Sequence, residues 1–189
     1  MKRILELGAG KNYYKGNNDE EVIHIDFLML PHIEVIHDLD SYPYPFKDNE
    51  FDEVRASHII EHLKDLIKTM EEIHRIAKPN AKIIIKVPYF AWSLAQGHPT
   101  HRKMFSLGTF YYFDKECWEK YSEKYSDRFF KLEKAIIRFK KEGNCSNTMK
   151  FIGKIIDFFA NIKPAITDRY FPHFLGGFEE LYFELKVLK

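Results

Sequence analysis

Cysteine is nearly absent: Cys117 and Cys145 are the only two in 189 residues, and their separation matches no metal-binding pair. An excess of one charge is also missing, since 29 Lys and Arg stand against 28 Asp and Glu for a net charge of +1. That balance argues against a nucleic-acid binder. No apolar run is long enough to span a bilayer, no signal peptide precedes the first strand, and there is no repeat or low-complexity tract. The expectation is a soluble, cytoplasmic, single-domain protein over residues 1–189, large enough to bury a sheet core without staples. What is plentiful is aromatic: 16% of residues, concentrated in the second half, beside 45% hydrophobic and 30% charged overall. Such a composition is globular, with an apolar pocket or interface toward the C-terminal side.

The chain is organised around its first ten residues. Ile4 to Leu7 is a short apolar run holding Glu6, followed by Gly8, Ala9 and Gly10, the pattern of a buried parallel strand that turns beneath a ligand. A second apolar run, 22–25, ends in Asp26 and Phe27, where an acid can bond a ribose diol. A third strand is predicted at 33–37, with Asp38 and Leu39 at its end, and a fourth at 51–56, followed by Ser57 and His58. Apolar residues at Ile59, Leu63, Ile67, Met70, Ile73 and Ala77 then recur with helical period, and the helix stops at Lys78-Pro79-Asn80. Residues 81–87, rich in β-branched side chains, form a fifth and central strand. This order gives a parallel α/β sheet with its ligand outside the carboxyl ends of the strands.

A dinucleotide site is disfavoured, because the third glycine of its fingerprint is missing after Gly10 and residues 12–21 have no apolar helical face. Beyond Pro88 the sequence predicts a long loop over 89–113, a helix over 114–124, a strand over 130–139, a broad-faced aromatic helix over 149–162 ended by Pro164, and a last alternating strand over 179–188.

As a set these motifs resemble a class I methyltransferase that uses S-adenosylmethionine. Glu6-Leu7-Gly8-Ala9-Gly10 is similar to that family's first motif, Asp26 to its ribose acid, and Asp38-Leu39 to the pair that reads adenine. The stretches 51–63 and 72–81 are similar to its fourth-strand motif and to its helix end before the fifth strand. The chain also resembles a sub-group with a Gly-x-Gly-Lys turn and a His-Pro-x-His stretch after the fifth strand, often linked to sugar or cell-surface polymers. The resemblance implies a Rossmann-like seven-stranded sheet, mostly parallel with an antiparallel last strand. The chain departs from that pattern in its reduced N-terminal helices and in the missing or vestigial helix between the first two strands, and an aromatic helical insertion at about 144–177, before the last strand, is the candidate to cover that side of the pocket. By the same resemblance, Glu6, Gly8, Ala9, Gly10, Asp26, Phe27, Asp38, Leu39, Ser57 and His58 hold the cofactor. The acceptor is a small molecule or a sugar or cell-surface precursor.

A sulfonium is already an activated leaving group, so the protein chiefly aligns a nucleophile and excludes water. A base helps an oxygen or nitrogen acceptor, and His98, His101 and Tyr89 follow the fifth strand, with Arg102 suited to hold an acidic group. His98 and His101 serve equally well as residues that stitch the loop to backbone. His58-Ile59-Ile60-Glu61-His62 has inverted zinc-protease spacing, but no third ligand stands out, and no metal is expected. Other readings are a non-catalytic or partner-dependent subunit, a homodimer, or peripheral membrane contact through 149–162 with Lys150, Lys154 and Lys163.

Overall fold

The computed structural model describes residues 1–116, 126–139, 146–170 and 177–189. Most of the helix expected over 114–124, and both ends of the 144–177 insertion, lie outside these residues. Among the described residues the strands are β1 (Lys2–Leu7), β2 (Glu20–Asp26), β3 (Val35–Ile36), β4 (Phe51–Ser57), β5 (Ala77–Pro88), β6 (Phe129–Arg138) and β7 (Glu180–Leu188). They form one sheet of order β3-β2-β1-β4-β5-β7-β6, in which β7 runs antiparallel to both neighbours and the other pairings are parallel.

The two faces of this sheet differ. Leu5, Leu7, Ile25, Val54, Ala56, Ile83, Ile85, Val87, Leu181, Phe183 and Leu185 are buried on one face. There the core is completed by α1 (Leu66–Ile76), through Met70 and Ile73, and by Phe105 and Phe110. Deleting any one of these large side chains costs about 2–5 kcal/mol. Side chains on the opposite face follow the register Glu6, Arg55, Ile84, Glu184 in one row and Glu53, Lys82, Lys186 in another. Lys82, Lys86 and Glu184 on that face are only half-buried, and Lys82 pairs with Glu184 at 3.0 Å. Strand β5 is therefore central, as its composition suggests, but its alternating lysines mark a strand buried on one side only.

Several boundaries move from the sequence reading: β5 begins at Ala77 rather than at residue 81 and takes in Lys78-Pro79-Asn80, and two other shifts have visible causes. The expected third strand shortens to Val35–Ile36 because Glu34 turns its carboxylate onto the His24 amide at 2.7 Å and the His24 ring at 3.0 Å, taking over an edge position of β2. The helix begins at Leu66 rather than near Ile59, since Asp65 caps it by accepting from the Lys68 amide at 3.0 Å. Ile60–His62 is instead a single 3-10 turn.

No helix joins β1 to β2, as the sequence predicts. The cover over that region is the 11–17 loop itself: the Tyr14 amide donates to Glu6 at 2.7 Å, its hydroxyl to Glu20 at 2.8 Å, and the Arg55 guanidinium lies 3.5 Å from its ring centroid. The insertion does not take this place. Its helices, after the short α2 (Ser93–Gly97), are α3 (Asn147–Ala160) and α4 (Pro164–Tyr170), and they pack on β6 at the far edge of the sheet. Asn161 accepts from the Ile137 amide at 2.9 Å and donates to its carbonyl at 2.8 Å, so a side-chain amide pairs with the exposed edge of β6. Among the described residues no helix is long and apolar enough to cross a membrane.

Candidate functional site

The turn after β1 holds two glycines with positive φ, Gly8 at 62° and Gly10 at 55°, and they do different work. A Cβ on Gly8 would lie 2.4 Å from Cγ1 of Ile59, so this glycine lets the strand tip pack against the segment after β4. On Gly10 a Cβ would meet nothing closer than the Gly8 carbonyl at 3.9 Å, which leaves its backbone facing open space that a ligand can fill. Ala9, buried between them, donates its amide to the Ile25 carbonyl at 3.4 Å.

Beside this turn is a cavity of about 150 Å³ lined by Gly8, Asp26, Phe27, Asp38, Leu39, Asp40, Ile59, His62 and Leu63. A whole drug-sized ligand needs roughly 300–1,000 Å³, so the cavity takes one portion of such a molecule. Asp26 is 4% exposed, and its two oxygens accept from the Gly10 amide at 3.0 Å and the Leu28 amide at 2.8 Å. A carboxylate has about four lone-pair sites, so capacity remains for ribose hydroxyls. Asp38 is exposed and accepts from the Asp40 amide at 2.9 Å. Phe27 is 68% exposed beside the cavity, an aromatic face available to stack on a flat ring. Two carboxylates, an open glycine backbone and an exposed aromatic suit a nucleoside without a pyrophosphate.

Of the expected cofactor residues, Gly8, Asp26, Phe27, Asp38 and Leu39 line this cavity, with Gly10 joined to it through Asp26. Glu6, Ala9, Ser57 and His58 do not line it. Glu6 is 5% exposed, on the sheet face shared with His24, and ties down the loop through Tyr14. Burial raises the pKa of its carboxyl, although the Tyr14 amide and the His24 and Arg55 charges oppose the shift.

His58 has φ 55° and turns back beneath the site: its Nε2 meets Glu180 at 2.8 Å and its Nδ1 stands 3.5 Å from Glu61. Burial pushes the Glu180 carboxyl up, but the His58 hydrogen bond and the charges of His58 and Arg138 outweigh it and hold the pKa below the usual range. Tyr89 is fully buried and donates to Asp168 of α4 at 2.9 Å, and burial together with the Asp168 charge raises its pKa strongly. It ties α4 to the tip of β5 and is unsuited to be a base.

Residues missed by sequence reasoning include Asp40 and His62. Asp40 continues the acidic Asp38-Leu39-Asp40 run and accepts from the Lys64 amide at 2.7 Å. His62 lines the cavity and also meets the loop after β5: its ring lies 4.9 Å from His101 and 5.6 Å from His98, and those two stack at 4.4 Å. The loop is held to the turn by the Arg102 amide, which donates to the Glu61 carbonyl at 2.8 Å. The Arg102 side chain is exposed and makes no ion pair among the described residues.

Residues 5–85 match the family described as a methyltransferase domain. A curated 2-phytyl-1,4-naphtoquinone methyltransferase from Nostoc is 42% identical over 41 residues, which cover 22% of this chain and 18% of that protein. The crystal structure of an S-adenosylmethionine-dependent methyltransferase from Archaeoglobus fulgidus superposes with a TM-score of 0.56 at 19% identity, covering 98% of this chain and 86% of the other. Another, from Aquifex aeolicus, gives 0.55 at 14% identity, covering 99% and 82%.

Proposed function

We propose that this chain, whose residues 5–85 match a methyltransferase domain and whose fold is that of class I methyltransferases, binds S-adenosylmethionine and transfers its methyl group to a small-molecule acceptor bound beside the 98–102 loop. The observation that carries this reading is the cavity at the strand ends, where Asp26 and Asp38 flank the turn at Gly8. Bound S-adenosylmethionine supplies a sulfonium-activated methyl group, released to a nucleophile as the carbon–sulfur bond breaks toward sulfur. Asp26 holds the ribose, Asp38 and Leu39 border the base, and Phe27 stacks on it.

His101 is the base in this reading. Its Nδ1–H donates to the Ala95 carbonyl at 2.8 Å, which leaves the Nε2 lone pair to take the acceptor's proton. Arg102, exposed and without an ion pair among the described residues, anchors an acidic group on the acceptor. The exposed apolar residues of α3, Phe151, Phe158 and Phe159 among them, support an acceptor with an apolar portion, such as a lipid-linked sugar precursor or a quinone-like ring. The quinone methyltransferase relative is consistent with the ring.

The test is turnover with a labelled methyl group over a panel of such acceptors. His101→Ala should lower turnover by about 10²–10⁴ with cofactor affinity unchanged. Unaltered turnover in a folded His101→Ala protein would remove the assignment. The half-exposed charged face of the sheet favours a second reading, a subunit completed by a partner, which predicts a hetero-oligomer in the native extract and no turnover by the isolated chain.

A further inference from the structure

We propose that His62, His98 and His101 form a binding site for one divalent transition-metal ion at the edge of the cavity. One ring nitrogen from each lies within 4.8 Å of the others. In a tetrahedral site with metal–nitrogen bonds of about 2.0–2.1 Å the nitrogens stand about 3.3 Å apart, so the rings must turn to bring one nitrogen of each to that spacing. Backbone hydrogen bonds already hold the two contributing segments in register: Arg102 to Glu61 at 2.8 Å, and His101 to the His98 carbonyl at 3.2 Å.

The hydrogen bonds of the rings point the same way. Each Nδ1 is engaged by protein: His101 with the Ala95 carbonyl at 2.8 Å, and His62 and His98 with the Thr100 hydroxyl at 2.8 and 3.0 Å. The hydroxyl oxygen has two acceptor lone pairs, enough to take an Nδ1–H from both rings. The Thr100 amide also lies 3.4 Å from the His98 Nδ1, so both tautomers of that ring are compatible with the loop and an ion selects one. With Nδ1–H on all three rings, three Nε2 lone pairs are left without a hydrogen-bond partner among the described residues. A ligating histidine ordinarily shows this arrangement, its second nitrogen held by a carbonyl or hydroxyl that fixes tautomer and ring angle.

Three imidazoles select zinc, cobalt, nickel or iron over magnesium and calcium, and three protein ligands leave a position open. The zinc-protease pattern in the sequence misses this set, because its His58 is committed to Glu180 while His98 and His101 come from another loop. Metal affinity can be tested apart from the methyl-transfer reading, but the two uses of the His101 Nε2 lone pair exclude each other: a bound ion replaces the base, and a role for its open position in holding the acceptor's oxygen rests on that reading.

The test is titration of untagged, chelator-treated protein with cobalt(II), without cofactor or acceptor, followed by visible absorption and by calorimetry with zinc(II). One equivalent should bind, with the absorption of a tetrahedral nitrogen-rich site. His62→Ala, His98→Ala and His101→Ala should each weaken binding at least tenfold, Thr100→Val roughly 10–100-fold as an outer partner, and His37→Ala not at all. Absence of binding by the folded parent, or affinity unchanged in the three histidine variants, would overturn the site and leave methyl transfer untouched.

Discussion

The rings of His62 and His101 meet edge to face at 4.9 Å and 66°, and this contact joins the segment after β4 to the loop after β5. Because His62 also lines the cavity flanked by Asp26 and Asp38, that cavity and the loop after β5 share a wall, which in the proposed reading sets the cofactor beside the acceptor. Chemistry on an acceptor held by the 98–102 loop would thus occur next to the cofactor rather than across the sheet.

The two glycines of the first turn should respond differently to substitution. At Gly8 an added Cβ collides with Ile59 and sits at positive φ, so Gly8→Ala should destabilise the fold by about 1–3 kcal/mol. Gly10→Val meets no such clash but shares the positive φ, so it should cost about 1–2 kcal/mol in backbone strain, unfold cooperatively at a somewhat lower temperature, and yet lose cofactor binding. Thermal melts beside calorimetry separate the two, and a folded Gly10→Val protein that binds normally would refute the role given to this backbone.

Glu180 makes stability depend on pH in a defined direction. Its pKa is depressed below the unfolded value near 4.5, so its contribution is fully present above that pH and is lost as pH falls through the lower folded value. Glu180→Gln should lower Tm at neutral pH by roughly 3–10 °C, from about 1.5–3 kcal/mol of charge-assisted hydrogen bonding to His58 and Arg138. The gap between parent and variant should narrow as pH drops below about 4.5. Parallel Tm curves from pH 7 to pH 3 would show that ionisation of this carboxyl contributes nothing to stability.

The apolar face of α3 should become protected when the site is filled. Phe151, Phe158 and Phe159 are each more than 60% exposed, while Asp168 of α4 is tied to Tyr89 at the β5 tip, so an acceptor reaching past that tip would lie under these helices. Amide exchange over residues 151–159 should slow when cofactor and acceptor are added together. Equal rates in both states would make the segment a fixed cap on the β6 edge, and protection by anionic vesicles alone would make it a membrane contact.

The strands and the gathering of acids at their carboxyl ends were legible because they depend on local signals. Glycine and acid at the ends of apolar runs are read directly, and Asp26 and Asp38 stand at one cavity as their positions require. What could not be read is tertiary pairing. Thr100 and His62 are 38 positions apart, and only the packing of two loops brings them to 2.8 Å. The placement of 144–177 followed the same limit: its apolar face says that something is covered, not which edge of the sheet. Asn161, which meets the β6 backbone at Ile137, and Asp157, which accepts from the Phe139 amide just past that strand, fix it there. Glu6 looked like a ligand because it adjoins Gly8, but strand alternation turns it to the face with His24, away from the alternate positions that build the core.

Calorimetric titration with S-adenosylhomocysteine, comparing the parent with Asp26→Ala, tests the central claim most directly. Asp26 is the buried carboxylate that both shapes the Gly10 turn and faces the cavity, and a charge-assisted bond to a ribose diol contributes about 1.5–3 kcal/mol. The account predicts one binding site in the parent and an affinity roughly 10-fold to 150-fold weaker in the variant. A folded parent that does not bind, or a variant that binds as tightly, would contradict it.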